Sequence, residues 1–274
     1  MSIRLLFIIT FFVINSCADW ETKTDIIESG IINTERVILV EDFTGASCPN
    51  CPVGTAELEN ILEKYPSNVV VLGIHSRFLA DPAKTGDPNL ITKDANDIEK
   101  LLGNYVGKPE ASINRRLYTG NNIRISRPDT WITYIDQELK REAEARLKIE
   151  KNYDDNSREL NIKITATSLI DILFPIHLHV AISESGIFTS QSGPSGVLDN
   201  YEQKHVLRKL LTPVGGELMT DGLTKDKSIT KEYKFILPAE TEKLWKANNC
   251  SIVAFISKNE TEKVILQATE EKLK

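Results

Sequence analysis

The sequence is short of the features that mark several large protein classes. Four cysteines in 274 residues are too few for a disulfide scaffold, so each has to be read by its position. No Lys/Arg-rich block occurs, and 33 Lys+Arg against 39 Asp+Glu leave a formal charge of −6. Nothing here would supply the counterion release that drives phosphate-backbone binding, so no nucleic-acid partner is expected. No glycine-rich phosphate loop is present, and Ser183-Glu184-Ser185-Gly186 lacks the strand–turn–helix setting of a nucleophilic serine; no cofactor is expected. Internal repeats, low-complexity tracts and heptads are also missing. What remains is ordinary: 41% hydrophobic and 26% charged residues, 14 Gly and 11 Pro. That composition and length favour two folded domains, each able to bury a core.

The start of the chain has a character of its own. Residues 1–14, MSIRLLFIITFFVI, follow one arginine with an apolar run too short to cross a bilayer. A short positive start, such a run and a small residue before the cut describe an export signal. Ile14-Asn15-Ser16-Cys17 resembles a bacterial lipobox, in which the cysteine is lipidated and becomes the new N-terminus. The alternative is an ordinary secretory signal with an incidental cysteine. The lipobox resemblance implies a signal peptide over 1–16, a polar tether over 17–36, and attachment to a membrane through acyl chains on Cys17 without a spanning helix. Export places the other cysteines in an oxidising compartment, where disulfides persist.

The continuous apolar run 37–40 reads as a strand buried on both faces. Val53, Leu58, Ile61 and Leu62 recur at helical spacing after Cys48-Pro49-Asn50-Cys51, and Pro66 stops that helix. A second buried strand over 69–74 completes a βαβ unit with a parallel pair. Residues 77–91 read as an inserted loop, 94–102 as an amphipathic helix, 111–115 as a strand, and 130–145 as a helix with Trp131, Ile135 and Leu139 on one face. From Arg146 the period changes to two. Six strand-like segments, at 147–153, 159–168, 174–183, 229–237, 251–256 and 264–267, suggest an antiparallel sandwich, with long loops at 191–196 and 213–216. The expected organisation is an α/β domain over 37–145 and an all-β, immunoglobulin-like sandwich over 146–274.

Cys48 and Cys51 follow a buried strand and open a helix. Unpaired N–H groups and the helix dipole at such a position stabilise a thiolate, the form that attacks disulfides, which favours Cys48 as nucleophile and Cys51, one turn inward, as its resolving partner. The other reading is a stable disulfide that staples the helix start. Asp42 is either a buried proton carrier or a residue that bonds the turn backbone. Cys250, at the start of an apolar strand, reads as a buried inert thiol. His177 and His179 share one strand face, but two ligands do not make a metal site, and no metal is expected. His75 ends a buried strand and reads as a core histidine, the alternative being a group that tunes the cysteine pair, and 205–208 reads as a segment packing Val206 and Leu207 with its charges in water.

The run Asp42-Phe43-Thr44-Gly45-Ala46-Ser47-Cys48-Pro49-Asn50-Cys51 resembles the thioredoxin pattern over about 37–145. That resemblance implies that Asp42, six residues before Cys48, helps move the proton of Cys51. It also implies that Pro109, ahead of a strand, is a cis-proline shaping the substrate groove; X–Pro bonds are the ones for which cis is cheap. Ser47 stands where the family carries tryptophan and Glu110 where threonine is common, both changes falling on the expected substrate surface. A wider resemblance rests on the lipobox, Val40-Glu41-Asp42-Phe43-Thr44-Gly45, Ile113-Asn114-Arg115, the run Tyr201-Glu202-Gln203-Lys204-His205-Val206-Leu207-Arg208 and Val253-Ala254-Phe255. These are similar to the twenty-eight-kilodalton outer-membrane-protein family, which implies a lipid-anchored envelope protein of the outer membrane with a thioredoxin-like domain before a β-sandwich. Two functions follow as expectations. One is thiol–disulfide exchange on envelope protein thiols by Cys48, Cys51, Asp42 and Pro109. The other is a non-catalytic surface-binding or adhesion module, whose loops at 193–196 and 215–216 contact a partner or glycan.

Overall fold

The computed structural model describes residues 35–103, 107–118, 120, 122–258 and 261–274. The expected signal peptide, Cys17 and nearly all of the tether lie outside the described residues. Strand β1 (Ile38–Thr44) is buried along its whole length, as its β-branched and apolar run requires. It leads through the cysteine turn into helix α1 (Cys51–Lys64) and strand β2 (Val69–His75), which pairs parallel with β1 from Ile38↔Val69 to Thr44↔His75. Helix α2 (Lys93–Leu102), strand β3 (Glu110–Ile113), the short β4 (Arg124–Ile125) and helix α3 (Pro128–Leu139) follow. Alternation along β1 divides the core. Ile38 and Val40 pack with Leu58 and Ile61 of α1 and with Trp131, Ile135 and Leu139 of α3; Leu39 and Phe43 pack with Ala95, Ile98 and Leu102 of α2. Each such buried aliphatic contributes roughly 1.5–3 kcal/mol against exposure, and Trp131 offsets its polar cost by donating from Nε1 to the Ile125 carbonyl at 3.0 Å.

Helix α3 ends at Leu139 and not near residue 145. The Arg141 amide turns back to the Glu138 carbonyl, and Ala145 opens strand β5 (Ala145–Asp154), pairing with Ser168. Strand pairing here overrides the helix propensity of Lys140 to Ala145. All six segments expected beyond Arg146 are strands: β5, β6 (Glu159–Ser168), β7 (Ile176–Glu184) and, after four further strands, β12 (Ser228–Ile236), β13 (Cys250–Ser257) and β14 (Ile265–Lys272). The four between are β8 (Ile187–Gly193), β9 (Gly196–Gln203), β10 (Val206–Leu210) and β11 (Glu217–Thr220). The stretch read as a loop at 191–196 is thus the tip of a β8–β9 hairpin; residues 213–216 remain a turn, closed by the Gly216 amide on the Pro213 carbonyl.

Sheet order is β14-β13-β7-β10-β2-β1-β3-β4 with β11 on β7, beside a three-stranded β12-β6-β5 sheet and the separate hairpin. The three-stranded sheet alternates buried and open residues, its inner face closing a core of Leu160, Ile162 and Ile164 against Leu178, Val180 and Ile252. Strand β10 joins the β1–β2 pair to β7 through Val206↔Gly73, and the Gly73 amide donates to the His205 carbonyl at 2.7 Å. One sheet therefore runs through strands from both sides of residue 145. Among the described residues no helix is long and apolar enough to cross a membrane.

Candidate functional site

Cys48 and Cys51 form a disulfide in the turn between β1 and α1. Cys51 is the first residue of the helix, so it sits at the helix start and not a full turn inward; Pro52 follows in the first turn, where its missing N–H costs little. The turn is tied by the Cys48 amide on the Gly45 carbonyl and the Cys51 amide on the Cys48 carbonyl. Gly45 is required by packing: a Cβ there would stand 2.2 Å from the Leu79 carbonyl oxygen. Pro109, with a cis Lys108–Pro109 bond, lies against the same helix, since a Cβ on Gly54 would meet Pro109 Cβ at 2.8 Å. Both cysteines are shut from solvent, 0% and 2% exposed.

Asp42 lies on β1 on the side that carries Ile38 and Val40, and it lines a cavity of about 310 Å³ with Leu58, Leu62, Val71, His75 and Tyr201. It is buried, and its Oδ1 has no hydrogen-bond partner. Burial lifts its carboxyl to about 7, against the pull of the Lys108 charge. It does not bond the turn backbone through that oxygen, which leaves the proton-carrier chemistry open to it. Lys108 was not singled out by pattern reasoning, yet its buried Nζ donates to the Thr44 carbonyl at 2.8 Å and to the Ser76 carbonyl. Burial brings it down to about 8, while Glu99 works the other way. His75 is buried with Nδ1 unpartnered and is held at about 3 by burial and by the charges of Lys108 and Arg208, so it stays neutral beside Asp42.

Several expectations change with the tertiary setting. Glu110 is fully buried and ion-paired with Arg124, whose guanidinium covers the Phe43 ring at 4.2 Å; it belongs to the core and not to a substrate surface. Arg208 is buried with Glu184 at 3.5 Å and lies over Trp245, so not all the charges of 205–208 face water. Ile113-Asn114-Arg115 is a buried polar junction. Asn114 accepts from the Leu39 amide and donates to Glu138, both at 2.9 Å, and Arg115 holds Glu41 through two bonds of 2.9 and 2.6 Å. Cys250 is free and buried, its thiol pushed up to about 12 by burial, as an inert thiol should be. His179 stacks on Phe255 and shares a 2.9 Å hydrogen bond with Ser257; no group of three metal-ligating side chains occurs among the described residues.

Sequence reasoning missed the contacts that hold the cysteine turn. Gln191 on β8 donates from Nε2 to the Gly45 carbonyl at 3.1 Å and the Cys48 carbonyl at 3.0 Å, and the Ser192 amide donates to the Ala46 carbonyl at 2.8 Å. From the other side, the Ser47 amide donates to the Leu79 carbonyl at 3.0 Å and its hydroxyl to the Asp81 carbonyl. A glutamine 143 positions from Cys48 carries no local signal of this role.

Among known proteins, the family model described as outer membrane protein Omp28 matches residues 101–274, a span that begins after the cysteine pair. No curated protein matches the chain in sequence. Of solved structures, HBP35 of Porphyromonas gingivalis is similar at 18% identity, over 87% of this chain and 75% of that one, with a TM-score of 0.69. Protein AGR_C_4864 from Agrobacterium tumefaciens aligns at 16% identity over 88% and 96%, with a TM-score of 0.53. These likenesses establish a shared fold. A domain of the outer membrane lipoprotein Omp28 from Porphyromonas gingivalis aligns at 18% identity over 47% of this chain and 88% of that one, at a TM-score of 0.33. Since the family model takes in more than half of its length, the chain belongs to the Omp28 outer membrane protein family.

Proposed function

We propose that the chain is a lipid-anchored protein of the outer membrane, held through Cys17, whose thioredoxin-like module over 37–145 performs thiol–disulfide exchange on envelope proteins, with an immunoglobulin-like sandwich over 146–274. The observation that carries this reading is Asp42: a buried carboxyl raised to about 7, on the strand that enters a CxxC turn at a helix start. A carboxyl that titrates near neutrality can give and take a proton at working pH. In the exchange, a substrate thiolate attacks Cys48 Sγ, the Cys48–Cys51 bond breaks, and its electron pair leaves on Cys51 Sγ, which takes a proton from Asp42. A second substrate thiolate then attacks the substrate sulfur of the mixed disulfide and releases Cys48 as thiolate, so the substrate gains a disulfide and the pair is reduced; the reverse sequence reduces substrates. Pro109, against α1 at Gly54, is taken as the residue that shapes the substrate groove.

The test is a trap in a native host. With Cys51→Ser, free Cys48 attacks a substrate disulfide and the mixed disulfide cannot be resolved, so non-reducing gels and mass spectrometry should find specific adducts on Cys48. A clean monomer band, with Cys48 open to alkylation, would sink exchange. One observation favours a second reading, a binding module with a structural disulfide: both cysteines are closed from solvent. On that reading the working surface includes the 213–216 turn, where Val214 and Gly215 line a hollow of about 680 Å³ with Lys100 and Arg115, and partner binding survives loss of the cysteines.

A further inference from the structure

A disulfide that exchanges must be reached, and this one is buried in a turn whose carbonyls at Gly45, Ala46 and Cys48 are bonded by the β8–β9 hairpin. The β8–β9 hairpin pairs with neither larger sheet. Its contribution to the buried apolar clusters is Ile187, packed with Leu90 and Val206, while residues 196–200 of β9 are exposed. What fastens it is polar. Gln191, 2% exposed, shares its amide hydrogens among the Gly45 and Cys48 carbonyls of the cysteine turn and the Ser192 carbonyl of its own strand, and Gln203 Nε2 donates to Gln191 Oε1 at 3.0 Å and to Thr189 Oγ1 at 3.2 Å, fixing which way that amide points. The Ser192 amide on Ala46, the Ser190 amide on Asp87 at 2.9 Å, a Tyr201–Thr55 side-chain hydrogen bond and the surface pairs Asp199–Lys84 and Lys204–Glu59 add to the fastening. Left-handed residues flank the hairpin, Gly186 at φ +67 and His205 at φ +56. Segments held by hydrogen bonds and little apolar burial open locally at low cost, and swings are absorbed at a few terminal residues.

We propose that the β8–β9 hairpin is an autoinhibitory strap: clasped by Gln191 and Gln203 it closes the Cys48–Cys51 disulfide, and its lifting, without unfolding of the cores, admits the attacking thiolate. As regulation of exchange the strap rests on the function proposed above; as a barrier to any thiol it is tested independently. The full chain is treated with dithiothreitol under native conditions, quenched by alkylation and read by mass spectrometry. One dithiothreitol thiolate attacks a sulfur of the pair, the other sulfur leaves as thiolate and is protonated, and the second dithiothreitol thiol closes the oxidised ring, leaving the pair as a dithiol. Gln191→Glu keeps the size and the Gln203 contact but turns oxygens toward the Gly45 and Cys48 carbonyls, so it should speed reduction by about tenfold or more. Glu150→Gln, at an exposed pair with Lys163 on the separate three-stranded sheet, should change the rate less than about twofold. Wild-type reduction should also depend only weakly on sub-denaturing urea, as local opening exposes little surface. An unchanged rate in Gln191→Glu, or a urea slope as steep as global unfolding, overturns the strap; the urea slope decides alone if the variant does not fold. Faster reduction with no trapped adducts, when Cys51→Ser is combined with Gln191→Glu, leaves the strap standing and removes the exchange function; adducts without faster reduction do the opposite.

Discussion

Asp42 and Lys108 illustrate what burial does to single residues on this scaffold. The folded Asp42 keeps its proton to about 7, whereas the ordinary value is 3.8. Between those values the native state binds the extra proton, so the stability tied to this group is full below about 3.8 and is lost as pH rises toward 7. Lys108 runs the other way. Its ordinary value is 10.5 and its folded value about 8, so its contribution is full above 10.5 and is lost as pH falls through 8. Together the two leave a trough near neutral pH, which makes sense as the cost of keeping a proton-handling carboxyl in the core. Asp42→Asn should therefore be more stable than wild type at pH 7.5 by on the order of 1 kcal/mol or more. That gain should shrink as pH falls toward 4, in urea midpoints measured across the range. A gain that did not vary with pH would refute the assignment of a raised carboxyl.

At the scale of elements, the turn between β1 and α1 is made by close approach as much as by hydrogen bonds. Gly45 sits where a side chain would press on the backbone at Leu79 and Ala80, and backbone cannot rotate away as a side chain can. Gly45→Ala should cost about 2 kcal/mol or more in chemical denaturation, while Gly107→Ala, whose added carbon meets nothing within 4 Å, should cost far less. Equal effects at the two sites would mean that the 77–91 loop yields freely. That loop, read from sequence as an insertion between elements, supplies through Leu79 and Asp81 the carbonyls that hold Ser47. The β8–β9 hairpin shows the same thing from the far end of the chain. Its polar, Gly-containing tip looks like a loop by composition, and only its docking turns Gln191 into a clasp.

For the molecule as a whole, the decisive fact is that strands from both sides of residue 145 share a sheet. The core beneath α2 takes Ala181, Leu207, Leu210, Val253, Phe255, Ile265 and Ala268 from beyond that position, and the Ile265 amide donates to the Asn114 carbonyl at 3.0 Å. Residues 37–145 expressed alone would leave that face of β1 and β2 open to water. The fragment should lack a cooperative unfolding transition and show collapsed near-UV ellipticity, although it holds β1, α1, β2, α2, β3, β4 and α3. A sharp two-state transition in the fragment would show instead that the shared sheet adds little to its stability.

What the sequence determined by itself was local and periodic. The buried run at β1, the helical spacing after the cysteines and the period-two segments beyond Arg146 each follow from side chains that must reach a core at a fixed repeat. Whether the Cys48–Cys51 pair acts as catalyst or staple is set by access, which no local pattern encodes. Tertiary structure decided what no repeat encodes: the end of α3 at Leu139, the burial of Glu110 with Arg124, the insertion of β10 beside β2, and the hydrogen bond from Gln191 to the Cys48 carbonyl. These contacts join residues far apart in the chain, and their energies depend on what surrounds both partners at once. A pattern read along one dimension cannot hold that information.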